Sequence, residues 1–279
     1  MSARAAVATS LLGLAGCAYT GQAIDAHAHF ESDTAPGRIH PRISGKPAIL
    51  LDEMGEAKVE RAALIVVPPS QDLAVARVLH DQVAALLKRQ PGRFIGIGAV
   101  QPADGEAGLR EMERIAGLGF RGVKITPPGN LDLGTPEVRA LVGRAAALKL
   151  VVYIEGWWPG AAQETGKLAL AFPQVRIVLT HMGGIRFDDI LVFRLLELYP
   201  FYPRNVWFDL SAVASLYVDS PYAEQLRWVC RAVGTDRVLF GSDFPLTSLP
   251  AALKAVRGLG FSREELQRIL HDNAEALFP

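Results

Sequence analysis

Eight short β-rich runs alternate with amphipathic or Ala/Leu-rich stretches from residue 22 to the C-terminus, and this rhythm constrains the fold more than anything else in the chain. The runs are Ala23–Phe30, Ala62–Pro68, Phe94–Val100, Gly122–Thr126, Val151–Glu155, Ile177–His181, Val206–Leu210 and Val238–Ser242. Between most of them lies a helical stretch, among them Asp72–Arg89, Gly105–Ala116, Pro136–Leu148 and Pro221–Val233. Strands separated by helices predict a parallel sheet, and eight of them predict an α/β chain closed as a single (β/α)8 barrel. An open doubly wound sheet would carry a Gly-rich phosphate turn after its first strand. Here that position holds His27-Ala28-His29. A last helix, Ser262–Phe278, opens with Ser262 and Glu265 at capping-box spacing.

Composition narrows the class. Half of the 279 residues are hydrophobic, enough for one large core over residues 22–279. Basic and acidic residues balance at 29 each with no basic stripe, which excludes nucleic acid as the expected partner. No apolar run is long enough to span a bilayer. The two cysteines, Cys17 and Cys230, make no disulfide framework. Residues 1–21 stand apart as a signal-like segment or N-terminal extension. An apolar stretch after Arg4 ends in Leu14-Ala-Gly-Cys17, which resembles a bacterial lipoprotein cleavage box. A lipid anchor at Cys17 is the one expected tie to a membrane and would place the chain in the cell envelope; without processing it stays cytoplasmic.

The chemistry collects at strand ends. His27 and His29 lie two apart in an apolar strand, so their imidazoles share a face. A metal ion is one partner for such a pair; hydrogen bonds to carbonyls or carboxylates are the other. Lys124, Glu155, His181 and Asp243 end strands four, five, six and eight. In a barrel all of them converge with the histidines on the carboxyl-terminal mouth, where such folds place their active sites. Two loops open there: Glu31 to about Pro47, and Trp157-Trp158-Pro159-Gly160. The tryptophans either wall an apolar pocket or pack as a lid. Arg38, Arg42 and Arg186 are candidate carboxylate clamps. His40, His80 and His271 read as structural or solvated, and Cys230 as a buried small residue.

His27-Ala-His29, His181-Met-Gly-Gly, Gly241-Ser-Asp243-Phe-Pro and the terminal Asn273-Ala-Glu-Ala-Leu-Phe together resemble the amidohydrolase-related family over residues 22–279. This is the branch containing aminocarboxymuconate-semialdehyde decarboxylase-like and dicarboxylate-lactonase-like enzymes. The resemblance implies one divalent metal ion, often zinc. His27 and His29 would be ligands, Asp243 a ligand and proton shuttle, and His181 a contact to substrate or metal-bound water. Lys124 matches the family's Gly-Val-Lys-Ile run, with Thr126 where a histidine is frequent. Glu155 stands where the family carries a metal-binding histidine. As a ligand it would give a site of two histidines and two carboxylates suited to zinc or manganese. Otherwise the metal is gone, as in some lactonase-like relatives, and Glu155 pairs with Lys124 or an imidazole.

The expected activity is hydrolysis of a small carbonyl substrate, a lactone, ester or amide, by metal-activated water. Two alternatives are non-oxidative decarboxylation of a small aromatic or unsaturated carboxylic acid, and a catalytically silent barrel that binds a small molecule. Lys124, Trp157 and Arg186 are the expected substrate contacts. A small-molecule substrate is the expected partner, with a homodimer as the option for assembly.

Overall fold

The computed structural model describes residues 21–32, 42–68, 72–126 and 132–279. The lipoprotein-like box with Cys17, together with Arg38 and His40, lies outside them. Eight strands form one parallel sheet in sequence order: β1 (Ala23–Phe30), β2 (Val59–Val66), β3 (Phe94–Val100), β4 (Gly122–Ile125), β5 (Val151–Ile154), β6 (Ile177–Leu179), β7 (Val206–Asp209) and β8 (Val238–Leu239). Hydrogen bonds from Ala26 N to Phe240 O and from His29 N to Phe244 O close it, through a parallel bridge between Ala28 and Phe244. The chain is a single (β/α)8 barrel, as the alternation predicts.

Strand parity divides the apolar residues into two layers. Ile24, Ala26, Ala63, Ile65, Ile95, Ile97, Val151, Tyr153, Val178 and Leu239 fill the barrel interior, with Leu277 and Phe278 of the last helical turns packed against them. The alternate residues, such as Ala28, Leu64, Val123, Ile154 and Phe208, pack outward on the helices.

β1 breaks this parity in its middle. Asp25 pairs with Ala62 but Ala28 with Leu64, so β1 carries one more residue than β2 across that interval. A bulge of this kind shifts the side chains after it to the other face. Ile24 and Ala26 point inward before it, and His27 and His29 point inward after it. The Tyr153 hydroxyl, inside the barrel, donates to Ala26 O at 2.9 Å and satisfies the carbonyl at the bulge.

Several boundaries depart from the sequence reading, and β4, β5 and β7 each end one residue early. β2 begins at Val59 because Ala23 pairs with it. β6 and β8 are shorter than expected; after β6 the chain enters a tight turn, Thr180–Gly183, with His181 at φ 55° and Met182 at φ 52°. The last helix has the expected reciprocal Ser262–Glu265 cap but is interrupted by a π-helical turn over Arg268–Asp272.

Among the described residues no helix is long and apolar enough to cross a membrane. His80 is buried outside the barrel, with Nδ1 on Glu111 at 2.8 Å and Nε2 accepting from Ala99 N at 3.0 Å. His271 is held by Asp272 and Glu60. Cys230 is fully buried.

Candidate metal centre and active site

Three groups meet at the mouth where β1 and the segment after β8 join. His29 Nε2 lies 3.0 Å from Asp243 Oδ1, His27 Nε2 lies 3.7 Å from the same oxygen, and the two imidazole nitrogens are 3.3 Å apart. All three side chains are buried. Ligands about 2.1 Å from a common centre are spaced by roughly 3.0–3.4 Å in octahedral or tetrahedral geometry; two edges of the triangle meet that spacing and the 3.7 Å edge is a few tenths longer, so a small shift of side chains lets it hold one divalent ion. For His29 and Asp243 the donor chemistry agrees, while His27, raised by its carboxylate neighbours, would give up its Nε2 proton to the ion. Burial, reinforced by the nearby His27 charge, lowers the His29 imidazole to about 4, so it is neutral at pH 7 as a ligand must be. Burial opposes charge on Asp243, but the hydrogen bond from His29 and the charge of His27 outweigh it and hold the carboxyl below its usual range.

The backbone is shaped for this convergence. Asp243 sits at φ 61°, and Ala212 beside the site at φ 57°. A non-glycine residue in the left-handed region costs on the order of 1–2 kcal/mol, and four of them, with His181 and Met182, gather at this mouth. Gly241 makes the floor. A Cβ there would come within 2.8 Å of His27 Cβ and 3.0 Å of Ser211 Cβ, so only glycine lets the segment after β8 lie under both.

Asp209, at the end of β7, belongs to the site and is absent from the sequence reading. Its Oδ2 lies 3.0 Å from His27 Nδ1, and its Oδ1 accepts from the backbone N–H of His181 and of Ser211 and from the Ser211 hydroxyl. The signal was available: β7 reads Val-Trp-Phe-Asp, and its last residue is a carboxylate at inward parity. Burial lowers the His27 pKa, but the charge and hydrogen bond of Asp209, with Asp243, outweigh it and raise the imidazole above its ordinary value. Burial likewise opposes charge on Asp209, yet His27 holds that carboxyl at about 2. A carboxylate behind a ligating histidine fixes its ring orientation and leaves the far nitrogen for the ion.

Glu155 is turned away from the metal triangle. Its Oε2 accepts from Lys124 Nζ at 2.7 Å, and its Oε1 accepts from Thr180 Oγ and Trp157 N, each at 3.3 Å, and lies 3.4 Å from His181 Nε2. Of the two roles expected for it, this geometry is the pairing with Lys124. Burial opposes its charge, but Lys124 and His181 overcome that and keep the carboxyl well below its usual range. The neighbouring Gly156 is forced, because a Cβ would collide with Thr180 O.

His181 joins the cluster through its rings: its centroid is 4.8 Å from that of His27, and Trp157 stacks on it at 4.7 Å and 24°. Burial and the adjacent His27 lower its pKa. Lys124 reaches the mouth and is buried. Arg186 stands off it: the side chain is 77% exposed and turned toward Asp189 at 3.4 Å. It shares with Trp157, Trp158 and Ile185 a cavity of about 530 Å³ at the rim.

Comparison with known proteins follows the same lines. The amidohydrolase family model matches residues 24–279. The chain is 24% identical over 251 residues to a 2-amino-3-carboxymuconate-6-semialdehyde decarboxylase of Dictyostelium discoideum, covering 71% of this chain and 66% of that protein. It is 24% identical over 254 residues to a gamma-resorcylate decarboxylase of Rhizobium radiobacter, covering 74% and 76%. Among solved structures, 5-carboxyvanillate decarboxylase of Sphingomonas paucimobilis superposes with a TM-score of 0.72 at 20% identity, covering 92% of this chain and 98% of that one. The 5-carboxyvanillate decarboxylase of Novosphingobium aromaticivorans, solved with manganese and a nitrobenzoic acid, gives 0.70 at 19% identity over 93% and 96%. A Pseudomonas putida protein assigned as a 2-pyrone-4,6-dicarboxylic acid hydrolase gives 0.67 at 24% identity over 92% and 97%.

These comparisons correct the expected activity. The hydrolase reading gives way because both named relatives in sequence are decarboxylases. Both reactions use the same ion and the same carboxylate, so the residues did not separate them. With a buried donor set for one divalent ion at the mouth and the family match across the whole barrel, the chain is an enzyme that belongs to the amidohydrolase family.

Proposed function

We propose that the chain is a metal-dependent decarboxylase of a small aromatic or unsaturated carboxylic acid. The observation that carries the reading is the buried His27–His29–Asp243 triangle at the barrel mouth, in a chain whose curated relatives act on such acids. A divalent ion bound there supplies a Lewis acid that holds and orients a carboxylate. Lys124, buried at the same mouth, donates one N–H to Glu155 and offers its others to an anionic substrate. The Trp157 indole, held against His181, offers a planar wall for an unsaturated ring. Asp243 is the group placed to carry a proton to carbon. The bond between that carbon and the carboxyl group breaks, carbon dioxide leaves, and the electron pair takes up a proton drawn from solvent.

Two imidazoles and one carboxylate suit zinc and manganese alike. Manganese is favoured by the solved relative that contains it. The test is carbon dioxide release from hydroxybenzoic and muconic-type acids by metal-loaded protein, run beside ring opening of lactones and pyrones. Release from at least one acid supports the proposal. Ring opening with no release from any acid sinks it.

A further inference from the structure

We infer that Asp209 and Ser211 are positioning residues that fix the tautomers of two imidazoles at once: His27 as a metal ligand through Nε2, and His181 with its Nε2 turned to the mouth. Asp209 is fully buried. Its Oδ2 faces His27 Nδ1 at 3.0 Å, so the proton of that ring sits on Nδ1 and Nε2 keeps its lone pair toward His29 and Asp243. Its Oδ1 takes the hydroxyl proton of Ser211. With that proton committed, Ser211 Oγ acts only as an acceptor, facing His181 Nδ1 at 2.8 Å and His27 Nδ1 at 3.2 Å. The Ser211 carbonyl oxygen, an acceptor by nature, faces the same nitrogen at 3.2 Å. Nδ1 of His181 therefore carries a proton on two independent grounds.

Asp209 also holds the strained turn that presents this ring, by accepting from His181 N at 3.0 Å. One carboxylate thus accepts four hydrogen bonds from three residues, three on Oδ1 and one on Oδ2. An amide cannot replace it. Its single oxygen can serve His27 or the Ser211 side, and its N–H groups then meet a donor on the other side. Gly241 permits the arrangement, since a Cβ there would crowd His27, Ser211 and Asp209 together.

The arm through His27 stands independently of the proposed reaction; the arm through His181 rests on it only for the effect on turnover. The experiment uses the full chain. Chelator competition with manganese and with zinc measures affinity, and long-range nitrogen–proton spectra of labelled histidines report the tautomers. Asp209→Asn is expected to weaken metal binding about 10–100-fold and to disturb both rings. Ser211→Ala is expected to weaken metal binding less than Asp209→Asn, because His27 Nδ1 loses only its longer 3.2 Å contact and keeps Asp209, and to disturb His181 most, lowering kcat more than it raises KM on any acid the protein decarboxylates. Ser211→Thr, which keeps the hydroxyl, is expected to restore it. A folded Asp209→Asn protein with wild-type metal affinity overturns the inference. So does a wild-type spectrum in which His181 lacks a proton on Nδ1, which decides the matter even if Asp209→Asn does not fold. Absence of carbon dioxide release from every acid counts against the proposed reaction and leaves the affinity and tautomer readouts to be judged by themselves.

Discussion

Removing the Glu155 carboxylate separates a structural ion pair from a metal ligand. Its Oε2 sits 2.7 Å from Lys124 Nζ, and the two side chains are only 17% and 7% exposed. Deleting one member of a buried pair leaves the other charge uncompensated and costs about 3–5 kcal/mol. Lys124→Met should fall at the low end, since Glu155 keeps its bonds from Thr180 Oγ and Trp157 N. Glu155→Gln should cost a similar amount, because Lys124 is left charged against an amide. For a chain of this size about 3 kcal/mol corresponds to a fall in Tm of roughly 6–12 °C. The double variant leaves neither charge and should be more stable than the sum of the two single losses predicts, by about 2 kcal/mol.

Acid dependence gives a second handle on the same pair. The folded carboxyl of Glu155 lies below its unfolded value of 4.5. Its contribution is therefore fully present above that pH and is lost as the pH falls below it. Wild type and Glu155→Gln should differ most at neutral pH and converge on acidification. Urea unfolding of the four proteins at pH 7 and at pH 3–4 reads both effects, and metal analysis of Glu155→Gln should still find about one ion per chain. Additive single-variant losses, or a Glu155→Gln protein that folds but has lost its ion, would refute the placement of Glu155 on Lys124.

Asp243→Asn keeps the shape of the site but removes the proton carrier and the one charged donor of the metal triangle, so its rate is read at saturating metal. It should fold with a near-native melting curve and lose about 10²–10⁴ in single-turnover rate on any acid the wild type decarboxylates. Gly241→Ala forces a methyl group between His27 and Ser211 and should weaken metal binding measurably while leaving the far-ultraviolet spectrum of the barrel intact, as chelator competition would show. Tyr153→Phe strips the donor from Ala26 O at the bulge and should cost about 1–3 kcal/mol in urea unfolding, the penalty for a buried carbonyl left unpaired. Glu111, held at about 2 by His80, Arg114 and Arg77 despite burial, contributes stability above pH 4.5 that disappears as the pH falls from 4.5 toward 2; Glu111→Gln should flatten the unfolding profile across that window.

The sequence made the barrel legible because its strands are bounded by breaks in apolar periodicity: β1 and β3 begin and end where the runs of apolar residues do. The mouth was legible for Lys124 and Glu155, at the carboxyl ends of β4 and β5, since a polar residue there has few other places to go; Asp243 is expected at the end of strand eight but lies four residues beyond β8, at φ 61°. His27 and His29 were identified as a pair for an incomplete reason. Two residues apart on a regular strand, they share a face, but that face would be the outer one beneath the helices; the bulge between Asp25 and Ala28 brings them inside. No local pattern announces a bulge that depends on the register of β2. His181 was placed on a strand, whereas a left-handed turn after β6 presents it. Asp209 carries the same strand-end signal at β7, but its role behind His27 and His181 depends on partners far away in the chain. The choice between hydrolysis and decarboxylation was not legible, because His27, His29 and Asp243 serve either reaction.

Metal reconstitution with carboxyl-labelled acid tests the central claim most directly. Protein stripped by a chelator is titrated with manganese or zinc, and labelled carbon dioxide release is followed for the acid that responds best in the panel. The account predicts no release from the stripped protein, full recovery at about one equivalent of metal, and no recovery in a folded His27→Ala, His29→Ala variant. Undiminished release from stripped protein, or recovery in that double variant, would contradict it.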